Sequence, residues 1–464
     1  MTDVHLIGIG GSGLSAIARL LMESGKTVTG SDRVLSPEAQ ALVRDGVHIF
    51  IGHNAQNVIG ADLVVRSSAI PDSNPEVQAA RNAGIPVLKR SDYLGQLMLH
   101  DKCIAIAGTH GKTTTTAMTA STMHALGIDS SYIIGGIAKN LGSNAHAGRG
   151  GYFVIEADEY DRMFHGLSPY IAVITNMEHD HPDCFPTSQD YREAFGTFVS
   201  HIKPDGILLA CADDTEAAQL AEKSAAVHTV FTYGQHENAH YQAQDIQRNE
   251  TGGFSFNIVH RSQPGETAAH LATVSLSVPG FHNTYNATAC MAIIHQLGFD
   301  LPKATTALQQ FSGAGRRFDL RGTAASITII DDYAHHPTEI TATLEAARTR
   351  FQQHRLVVVW QPHTYTRSEA LQNEFIQALS SADQVIVTSI YAAREKNTGF
   401  SARQIVDKMP ASTTSYAPDL ETAEQQLLEK LQPGDVLLVL SAGDAIQISE
   451  NVFAALQKLE AENA

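Results

Sequence analysis

The chain has 464 residues, of which 43% are hydrophobic and 17% are charged. This length favours about three domains of roughly 150 residues each, and no apolar run approaches the roughly 20 residues that a membrane helix needs. The formal net charge of −17 disfavours nucleic acid and anionic lipid heads as partners, because like charges repel. We therefore expect a multidomain protein without membrane insertion and without a nucleic-acid partner.

The N-terminus and the cysteines indicate the compartment. The segment MTDVHLIGIGG is typical of a first strand and lacks the features of a signal peptide, so we expect a cytoplasmic protein. No CxxC pair occurs, which disfavours both a disulfide framework and a zinc site. We expect free, partly buried thiols at the four cysteines, Cys103, Cys184, Cys211 and Cys290.

Short apolar runs recur along the chain, each ending in a glycine or polar loop and followed by helical periodicity. They are VHLIGIG, CIAIAGTHG, YFVIEAD, IAVITN, ITIIDD, RLVVVWQPH, DQVIVTS and DVLLVLSAG. This alternation predicts an α/β fold in which helices cover parallel sheets.

Residues 1–99 predict a small Rossmann-like domain with strands in VHLIGIG, KTVTGSD and ADLVVRSSAI. The glycine-rich turn GIGGSG spans Gly8 to Gly13, and Asp32 follows about 20 residues later, a spacing typical of NAD-binding domains. Such a turn brings backbone close to a pyrophosphate, which a UDP-sugar carries just as NAD does. A purely structural glycine turn is a third interpretation of this short pattern.

Residues 100–315 predict a central domain built on a phosphate-binding loop. The strand CIAIAG runs into GTHGKTT, Gly108 to Thr114, and then into a helical pattern. Glycine backbone groups and a helix N-terminus can surround phosphates, Lys112 can reach the β- and γ-phosphates, and Thr113 can bind Mg²⁺. Ile106 stands where the usual spacing has its first glycine, and a glycine-rich turn with a chance lysine is the alternative interpretation.

Two acidic segments of the central domain, EADEYD and TNMEHDH, begin where apolar strands end. Parallel strands present these ends at one sheet edge, so the acids can converge on a nucleotide if one or two Mg²⁺ ions lie between them. The candidates are Glu156, Asp158, Glu159, Glu178, Asp180 and His181. Histidine is a poor Mg²⁺ ligand, so a structural or proton-handling role for His181 stays open. Residues 236–278 alternate polar and apolar side chains and predict added antiparallel strands.

Residues 316–464 predict a second Rossmann-like domain that ends in an exposed charged helix finishing at Ala464. Before it, VPGFHNTYNATA brings His282, Asn283 and Asn286 to a helix start, where they can bind an adenine edge or, for Asn283, cap the helix. Arginine can offset charge on a phosphoryl group, and histidine can accept an amine proton. The third domain carries such arginines and histidines in GAGRRFD, IIDDYAHHPTE and QPHTYTR, together with two aspartates and a tyrosine. The candidate residues are Arg316, Arg317, Asp331, Asp332, Tyr333, His335, His336, His363 and Arg367.

With GTHGKTT, EADEYD, TNMEHDHPD, GFHNTYNA, GRRFD and DDYAHHPTE in this order, the chain resembles the Mur ligases of peptidoglycan assembly, and among them the alanine-adding branch. The resemblance extends over the whole chain through GIGGSG and SSAIPDSNPE in the first domain and QPHTYTR and YAARE in the third. It implies a UDP-sugar domain, an ATP domain and an amino-acid domain, in that order. It also implies ATP-dependent joining of L-alanine to UDP-N-acetylmuramic acid through an acyl phosphate.

The resemblance implies roles for individual residues. A UDP-sugar site would comprise Gly8, Gly10, Gly11, Ser12, Gly13, Asp32, Ser67 and Ser68. An ATP site would comprise Gly108, Thr109, His110, Gly111, Lys112, Thr113, Thr114, His282, Asn283, Asn286, Arg317 and Asp332. A Mg²⁺ site would comprise Thr113, Glu156 and His181. The amino acid and the sugar carboxylate would meet Tyr333, His335, His363 and Arg367. The catalytic groups would be Lys112, Arg317 and His335, the last as the base.

Two departures from the family pattern stand out. YREAFGTFVSHIK has no lysine before Lys203, so the carbamylated lysine that bridges metals in several relatives is not expected. Tyr160 stands where many relatives have serine. A ligase that adds a whole tripeptide to the same UDP-sugar is the nearest alternative function, and an NAD-dependent oxidoreductase is an alternative from another class. We expect a monomer or a weak homodimer.

Overall fold

The computed structural model describes residues 3–393 and 395–463, so Arg394 of the YAARE motif and Ala464 at the predicted helix end lie outside the described residues. Within this part of the chain, no helix is long and apolar enough to cross a membrane. Contacts group the residues into two compact units. The first holds the described residues up to Gln244, 257–273 and 285–308, and the second holds 245–256, 274–284 and the described residues from 309 onward.

The first sheet has five parallel strands in the order β3-β2-β1-β4-β5. The strands are β1 (Asp3–Ile7), β2 (Thr27–Asp32), β3 (His48–Ile51), β4 (Leu63–Arg66) and β5 (Val87–Lys89). The helices are α1 (Ser12–Glu23), α2 (Pro37–Arg44), α3 (Pro75–Asn82) and α4 (Arg90–Leu97), with a 3₁₀ turn at Ala55–Val58. This is the Rossmann-like arrangement that the sequence predicts.

The second sheet is mixed and has ten strands in the order β15-β14-β13-β12-β11-β10-β6-β9-β7-β8. The strands are β6 (Lys102–Ala107), β7 (Ser131–Ala138), β8 (Ser143–His146), β9 (Tyr152–Glu156), β10 (Ile171–Ile174), β11 (Ile207–Cys211), β12 (Thr229–Gly234), β13 (Tyr241–Arg248), β14 (Phe254–His260) and β15 (Ala269–Ser275). The helices are α5 (Lys112–Ala125), α6 (Ser188–Ser200), α7 (Thr215–Ser224), α8 (His282–Gln296) and α9 (Leu301–Gln309), with a 3₁₀ helix at Tyr160–Gly166. Strands β6, β9, β10, β11 and β12 pair in parallel, and β7 pairs antiparallel with β8.

The third sheet has six strands in the order β16-β17-β21-β18-β19-β20, all parallel except for the β16–β17 pair. The strands are β16 (Asp319–Ala324), β17 (Ile327–Asp332), β18 (Leu356–Trp360), β19 (Gln384–Thr388), β20 (Thr414–Ala417) and β21 (Val436–Leu440). The helices are α10 (Pro337–Arg350), α11 (Tyr365–Ala370), α12 (Gln372–Leu379), α13 (Arg403–Val406), α14 (Leu420–Lys430) and α15 (Ile446–Asn463). The three sheets confirm the predicted α/β class, and the boundaries near residues 99 and 316 stay predictions.

The strands that precede the phosphate-binding motifs are continuous apolar runs in the interior of the second sheet. Strand β10 and residues 103–107 of β6 are fully buried, as expected for a strand covered by helices on both faces.

The predicted exposure of the last helix is wrong over its first three turns. There Ile448, Val452 and Leu456 are buried against the third sheet, because their spacing of four residues forms one apolar stripe.

The four cysteines are free thiols, as predicted, and three of them are buried. Burial raises the pKa of Cys103 and Cys211 to about 12, so these thiols stay protonated and unreactive near neutral pH.

Candidate active site

The phosphate-binding loop joins β6 to α5 and is shaped by two glycines. Gly108 and Gly111 have φ values of +135° and +84°, which L side chains rarely adopt. A β-carbon on Gly108 would lie 2.0 Å from the hydroxyl oxygen of Thr175. The backbone N–H of Thr109 donates to the carbonyl of Asn176, and that of His110 donates to the side-chain oxygen of Asn176. The loop is therefore held against the end of β10.

The side chains of Thr109 and His110 point to the second acidic segment. The Thr109 hydroxyl donates to the carbonyl of Glu178 at 2.7 Å and lies 2.8 Å from the phenol of Tyr191. The His110 ring meets the Glu178 carboxylate at 2.9 Å. The structure thus brings the loop and TNMEHDH together, as the shared sheet edge predicts.

Lys112 begins α5 and forms a buried ion pair with Glu159 of the first acidic segment. Its ammonium lies 2.8 Å from one carboxylate oxygen of Glu159 and donates to the carbonyls of Gly108 and Thr109. Burial alone would lower the pKa of Lys112, but attraction by the neighbouring carboxylates, chiefly Glu159, outweighs it and raises the pKa above its ordinary value. The ammonium charge is therefore kept at neutral pH.

Thr113 and Glu156 form a pair of hard oxygen donors beside Lys112. The Thr113 hydroxyl donates to Glu156 at 3.1 Å, and the other carboxylate oxygen of Glu156 accepts the backbone N–H of Gly135 at 2.6 Å. Hydroxyl and carboxylate oxygens are ligands that Mg²⁺ prefers, so this donor set fits that ion.

His181, the third predicted metal residue, has its own acidic neighbours. Its Nε2 atom lies 3.7 Å from Asp180 and 3.9 Å from Glu159, and its backbone has a φ of +55°. The Tyr160 ring meets the His181 ring edge-on, and the Tyr160 hydroxyl donates to Asp183. Tyr160 thus forms a wall beside His181, at the position where the family pattern has serine.

The predicted base-binding residues lie at the start of α8. Asn286 accepts a hydrogen bond from the Thr115 hydroxyl at 3.1 Å, and a β-carbon on Gly111 would lie 2.8 Å from the same amide oxygen. This places Asn286 directly on the phosphate loop. The Asn283 amide donates to the carbonyl of Pro279, and the His282 ring covers Gly280, so both side chains also stabilise the turn before the helix.

The glycine-rich turn of the first domain is closed by Asp32, whose carboxylate accepts the backbone N–H of Gly10 at 2.9 Å. Ser67 packs on the turn, since a β-carbon on Gly8 would lie 3.1 Å from that of Ser67. Ser68 is exposed at the same strand end. The turn leads into α1, whose first N–H groups have no side-chain cap. Such an end suits an anion.

In the second unit, Asp332 organises the turn at the end of β17. Its carboxylate accepts the backbone N–H groups of Phe318 and Ala334, both at 2.8 Å. Burial raises the pKa of Asp332 to about 6, although Arg317 and these two N–H groups oppose the shift. Arg317 lies 5.2 Å from the Tyr333 ring centre and 3.4 Å from Glu339. The structure therefore brings the GRRFD and DDYAHHPTE motifs together.

The rings of His335 and His363 meet edge to face, with their centres 5.6 Å apart. The Nδ1 atom of His335 lies 2.9 Å from the Tyr333 carbonyl, which can only accept, so Nδ1 carries the proton and the basic lone pair of the neutral ring is on Nε2. Arg367 is buried and lies 3.4 Å from Nδ1 of His363. The predicted amino-acid residues thus form one cluster.

Several residues of these clusters escape sequence reasoning as functional groups. Gly135 acts through its backbone N–H, and Asn176 binds the loop through both its backbone carbonyl and its side chain. Tyr191 lies in α6, ten residues beyond His181. Glu339 forms a capping box with His336 and also contacts Arg317 and His335. Its position three residues after His336 is a capping signal, but the contact with Arg317 depends on the fold.

Comparison with known proteins gives a consistent family assignment along the chain. A model described as "Mur ligase family, catalytic domain" matches residues 3–102. A model described as "Mur ligase middle domain" matches residues 106–294, and one described as "Mur ligase, glutamate ligase domain" matches residues 316–443.

Curated relatives and solved structures extend over nearly the full length. A UDP-N-acetylmuramate–L-alanine ligase of Acidithiobacillus ferrooxidans is 43% identical, with 96% of each chain covered. One of Caldanaerobacter subterraneus is 40% identical, with 98% of each chain covered. The crystal structure of UDP-N-acetylmuramate-alanine ligase MurC from Thermotoga maritima superposes with a TM-score of 0.83 at 29% identity, covering 99% of this chain and 100% of that one. A murein peptide ligase from Psychrobacter arcticus gives a TM-score of 0.73 at 26% identity, covering 98% and 99%.

Proposed function

The chain belongs to the Mur ligase family, and we propose that it joins L-alanine to the carboxylate of UDP-N-acetylmuramic acid while ATP is converted to ADP and phosphate. The reaction supplies a peptidoglycan precursor. The observation that carries the proposal is the phosphate loop with Lys112 and the Thr113–Glu156 oxygen pair, in a chain that matches alanine-adding ligases over 96% to 98% of its length.

The chemistry explains why ATP is needed. A carboxylate and an amine do not condense in water, because oxide cannot leave and the amine is mostly protonated. A carboxylate oxygen of the muramyl group attacks the γ-phosphorus, the bond between that phosphorus and the β–γ bridging oxygen breaks, and an acyl phosphate and ADP form. Lys112 and Arg317 offset charge on the transferring phosphoryl group. For this, Lys112 must exchange its contacts with Glu159 and the loop carbonyls for contacts with phosphate oxygens.

The second step forms the amide. The alanine amine attacks the acyl carbon, the bond between that carbon and the phosphate oxygen breaks, and phosphate leaves. His335 is the base that takes the amine proton on Nε2, because its Nδ1 proton is held by the Tyr333 carbonyl. Tyr333, His363 and Arg367 hold the amino acid and the sugar carboxylate.

The nucleotide and metal assignments rest on the family resemblance and are supported by the clusters described above. We assign ATP to the Gly108–Thr114 loop and Asn286, and the family resemblance assigns Asn283, His282, Arg317 and Asp332 to the same nucleotide. Mg²⁺ would be held by Thr113 and Glu156, with His181 as the third residue that the family resemblance assigns to the metal. When bound, this ion neutralises phosphate charge and polarises the transferring group.

The alternatives are less favoured. The solved murein peptide ligase is less similar than the alanine ligase structure, in both TM-score and identity. An NAD-dependent oxidoreductase would leave the phosphate loop, Lys112 and their acidic partners without a role. We place the enzyme in the cytoplasm, where its nucleotide substrates occur, as a monomer or weak homodimer.

The test is a substrate screen. The protein is incubated with ATP, Mg²⁺ and UDP-N-acetylmuramic acid, each amino acid or the tripeptide is offered in turn, and phosphate release and product mass are measured. We expect L-alanine to give phosphate and a product heavier by one alanyl residue. Product with the tripeptide and none with alanine would identify the recycling ligase instead.

A further inference from the structure

We propose that Glu395 is a positioning residue for the amino-acid site, where it holds the start of α11 and thereby keeps Arg367 in place. This role rests on the proposed function, which gives Arg367 a substrate contact but gives the YAARE segment, residues 391–395, no part in the reaction. Glu395 acts through Arg367 and contacts no substrate itself.

Arg367 lies on a helix that is too short to be stable by itself. Helix α11, Tyr365–Ala370, has six residues, and isolated helices of that length are unstable in water. Thr364, the residue before it, provides no side-chain cap and has a φ of +67°, which is unusual for a β-branched residue. Arg367 is nevertheless buried, and its Nη1 atom lies 3.4 Å from Nδ1 of His363. A contact from outside the helix is therefore needed to fix its start.

Glu395 supplies that contact through three hydrogen bonds. Its Oε2 atom accepts the backbone N–H of Tyr365 at 2.5 Å and that of Thr366 at 3.1 Å, and its Oε1 atom accepts the Thr366 hydroxyl. The carboxylate thus takes two N–H groups that have no partner within the helix, at the end where the helix carries a partial positive charge. Glu395 is therefore the cap that Thr364 does not provide.

The segment that carries Glu395 is itself fixed to the residues just before α11. Tyr391 donates its backbone N–H to the carbonyl of Pro362 at 2.8 Å, and its own carbonyl accepts the N–H of Thr364 at 2.9 Å. The Tyr391 ring also stacks on the His363 ring, with the ring centres 5.7 Å apart. Backbone and ring contacts therefore hold Glu395 close to the start of α11.

The consequence of losing this carboxylate should appear at the amino acid. Glu395 holds Thr366, the residue directly before Arg367, and a helix of six residues has little else to keep its direction. Misplacement of a positioning group by about 1 Å can cost ~10²-fold in rate. Because the proposed ATP contacts of the third domain lie in other motifs, at Arg317 and Asp332, ATP binding should not depend on Glu395.

The experiment is a double-mutant cycle between Glu395 and Arg367. Glu395→Ala and Glu395→Gln are made in the unmodified protein and in Arg367→Lys, with Glu374→Ala as the control, which removes an exposed glutamate of α12. Phosphate release gives kcat/KM for L-alanine and KM for ATP. Amide hydrogen exchange of α11 reports its position without any substrate, and circular dichroism reports the fold.

We expect Glu395→Ala to lower kcat/KM for L-alanine by about 10- to 100-fold, while KM for ATP stays within about twofold. Glu395→Gln should recover most of this loss, because the amide oxygen can accept both N–H groups and the amide nitrogen can donate to the Thr366 hydroxyl oxygen. In Arg367→Lys, the same Glu395→Ala change should cost less than about threefold more, since residues that act through one another are not additive. Exchange at Tyr365 and Thr366 should be faster in Glu395→Ala, and Glu374→Ala should behave like the unmodified protein.

Equal losses in both backgrounds, unchanged exchange in α11, or a matching rise in KM for ATP would overturn the assignment. If Glu395→Ala does not fold, Thr366→Val takes its place in the cycle, because it deletes one of the three hydrogen bonds and should cost about threefold. An unmodified protein that releases phosphate with the tripeptide and not with alanine would instead refute the proposed function, and the same cycle run with the tripeptide would still decide the role of Glu395.

Discussion

Gly135 lies in β7 and touches no substrate in the proposed mechanism, but its substitution should disturb the proposed metal ligand Glu156. A β-carbon at this position would lie 2.5 and 2.7 Å from the two carboxylate oxygens of Glu156 and 2.8 Å from its carboxyl carbon. Gly135 does not have a positive φ, so alanine fits the backbone, and the three atoms nearest to its added β-carbon all belong to Glu156. The substitution Gly135→Ala therefore moves the proposed metal ligand without removing it.

The size of the effect follows from the distances. Ordinary contact begins at 3.4 Å, so the nearer oxygen of Glu156 must retreat by about 0.9 Å. The same movement lengthens its hydrogen bond from the Gly135 N–H, now 2.6 Å. Misplacement of a positioning group by about 1 Å can cost ~10²-fold in rate, so we expect kcat to fall by about 10- to 100-fold. The Mg²⁺ concentration needed for half-maximal rate should rise.

The assay is phosphate release with ATP, UDP-N-acetylmuramic acid and L-alanine over a range of Mg²⁺ concentrations. Gly196→Ala is the matched control, because Gly196 lies inside α6 with no atom within 4 Å of its added β-carbon. That control should keep full activity. If Gly135→Ala turns over within twofold of the parent with an unchanged Mg²⁺ dependence, Glu156 does not serve the metal in the way we propose.

The other predictions concern charge and buried networks. Lys112→Ala should lower kcat by at least ~10²-fold, because the transferring phosphoryl group loses a stabilising positive charge. The control Lys303→Ala removes an exposed lysine and should leave kcat unchanged. Phosphate release measures both variants, and retained activity in Lys112→Ala would contradict the site. Glu76→Gln should lower the melting temperature of the first domain by several degrees, because buried Glu76 accepts hydrogen bonds from Ser31 and Asn57 and pairs with His53. Differential scanning calorimetry compares this variant with Glu38→Gln, which changes an exposed glutamate. Equal melting temperatures in the two variants would refute the prediction. Burial raises the pKa of Asp332 from 3.8 to about 6, so the folded protein holds the carboxyl proton of Asp332 more tightly than the unfolded chain does. The free energy of unfolding should therefore fall as pH rises from about 4 to 6, by up to ~3 kcal/mol for this group. Urea unfolding can be followed by the fluorescence of the single tryptophan, Trp360 in β18. The free energy of unfolding should fall less over this pH range in Asp332→Asn than in the unmodified protein. Parallel pH profiles of the two proteins would disprove the pKa shift.

Much of the site could be predicted because its motifs stand at strand ends. The apolar run of β6 and the glycines at 108 and 111 specify a strand, a turn with positive φ and a helix start within a few residues. The pairing of β6 with β9 and β10 then brings Glu156 and Glu178 to the same edge, since parallel strands share their direction. The residue roles beyond these contacts stay predictions.

Contacts between distant segments were not predictable from the same patterns. The sequence identifies Lys112 and Glu159 as neighbours of a nucleotide, but it does not show that they pair with each other in a buried site. It predicts an exposed last helix because charged residues dominate the end of α15, whereas the stripe of Ile448, Val452 and Leu456 faces the third sheet. Gly135 carries no local signal at all.

Sequence alone determined the three α/β domains, the phosphate loop and the family, because apolar periodicity, glycine spacing and motif order are local properties written along the chain. Tertiary structure decided which groups meet: the backbone of Gly135 against Glu156, Asn286 on the phosphate loop, and the backbone of Gly108 against Thr175. The physical reason is that these contacts depend on the approach of backbones from separate elements. Helix α4, for example, touches the 3₁₀ helix only because glycine occupies both positions 95 and 166.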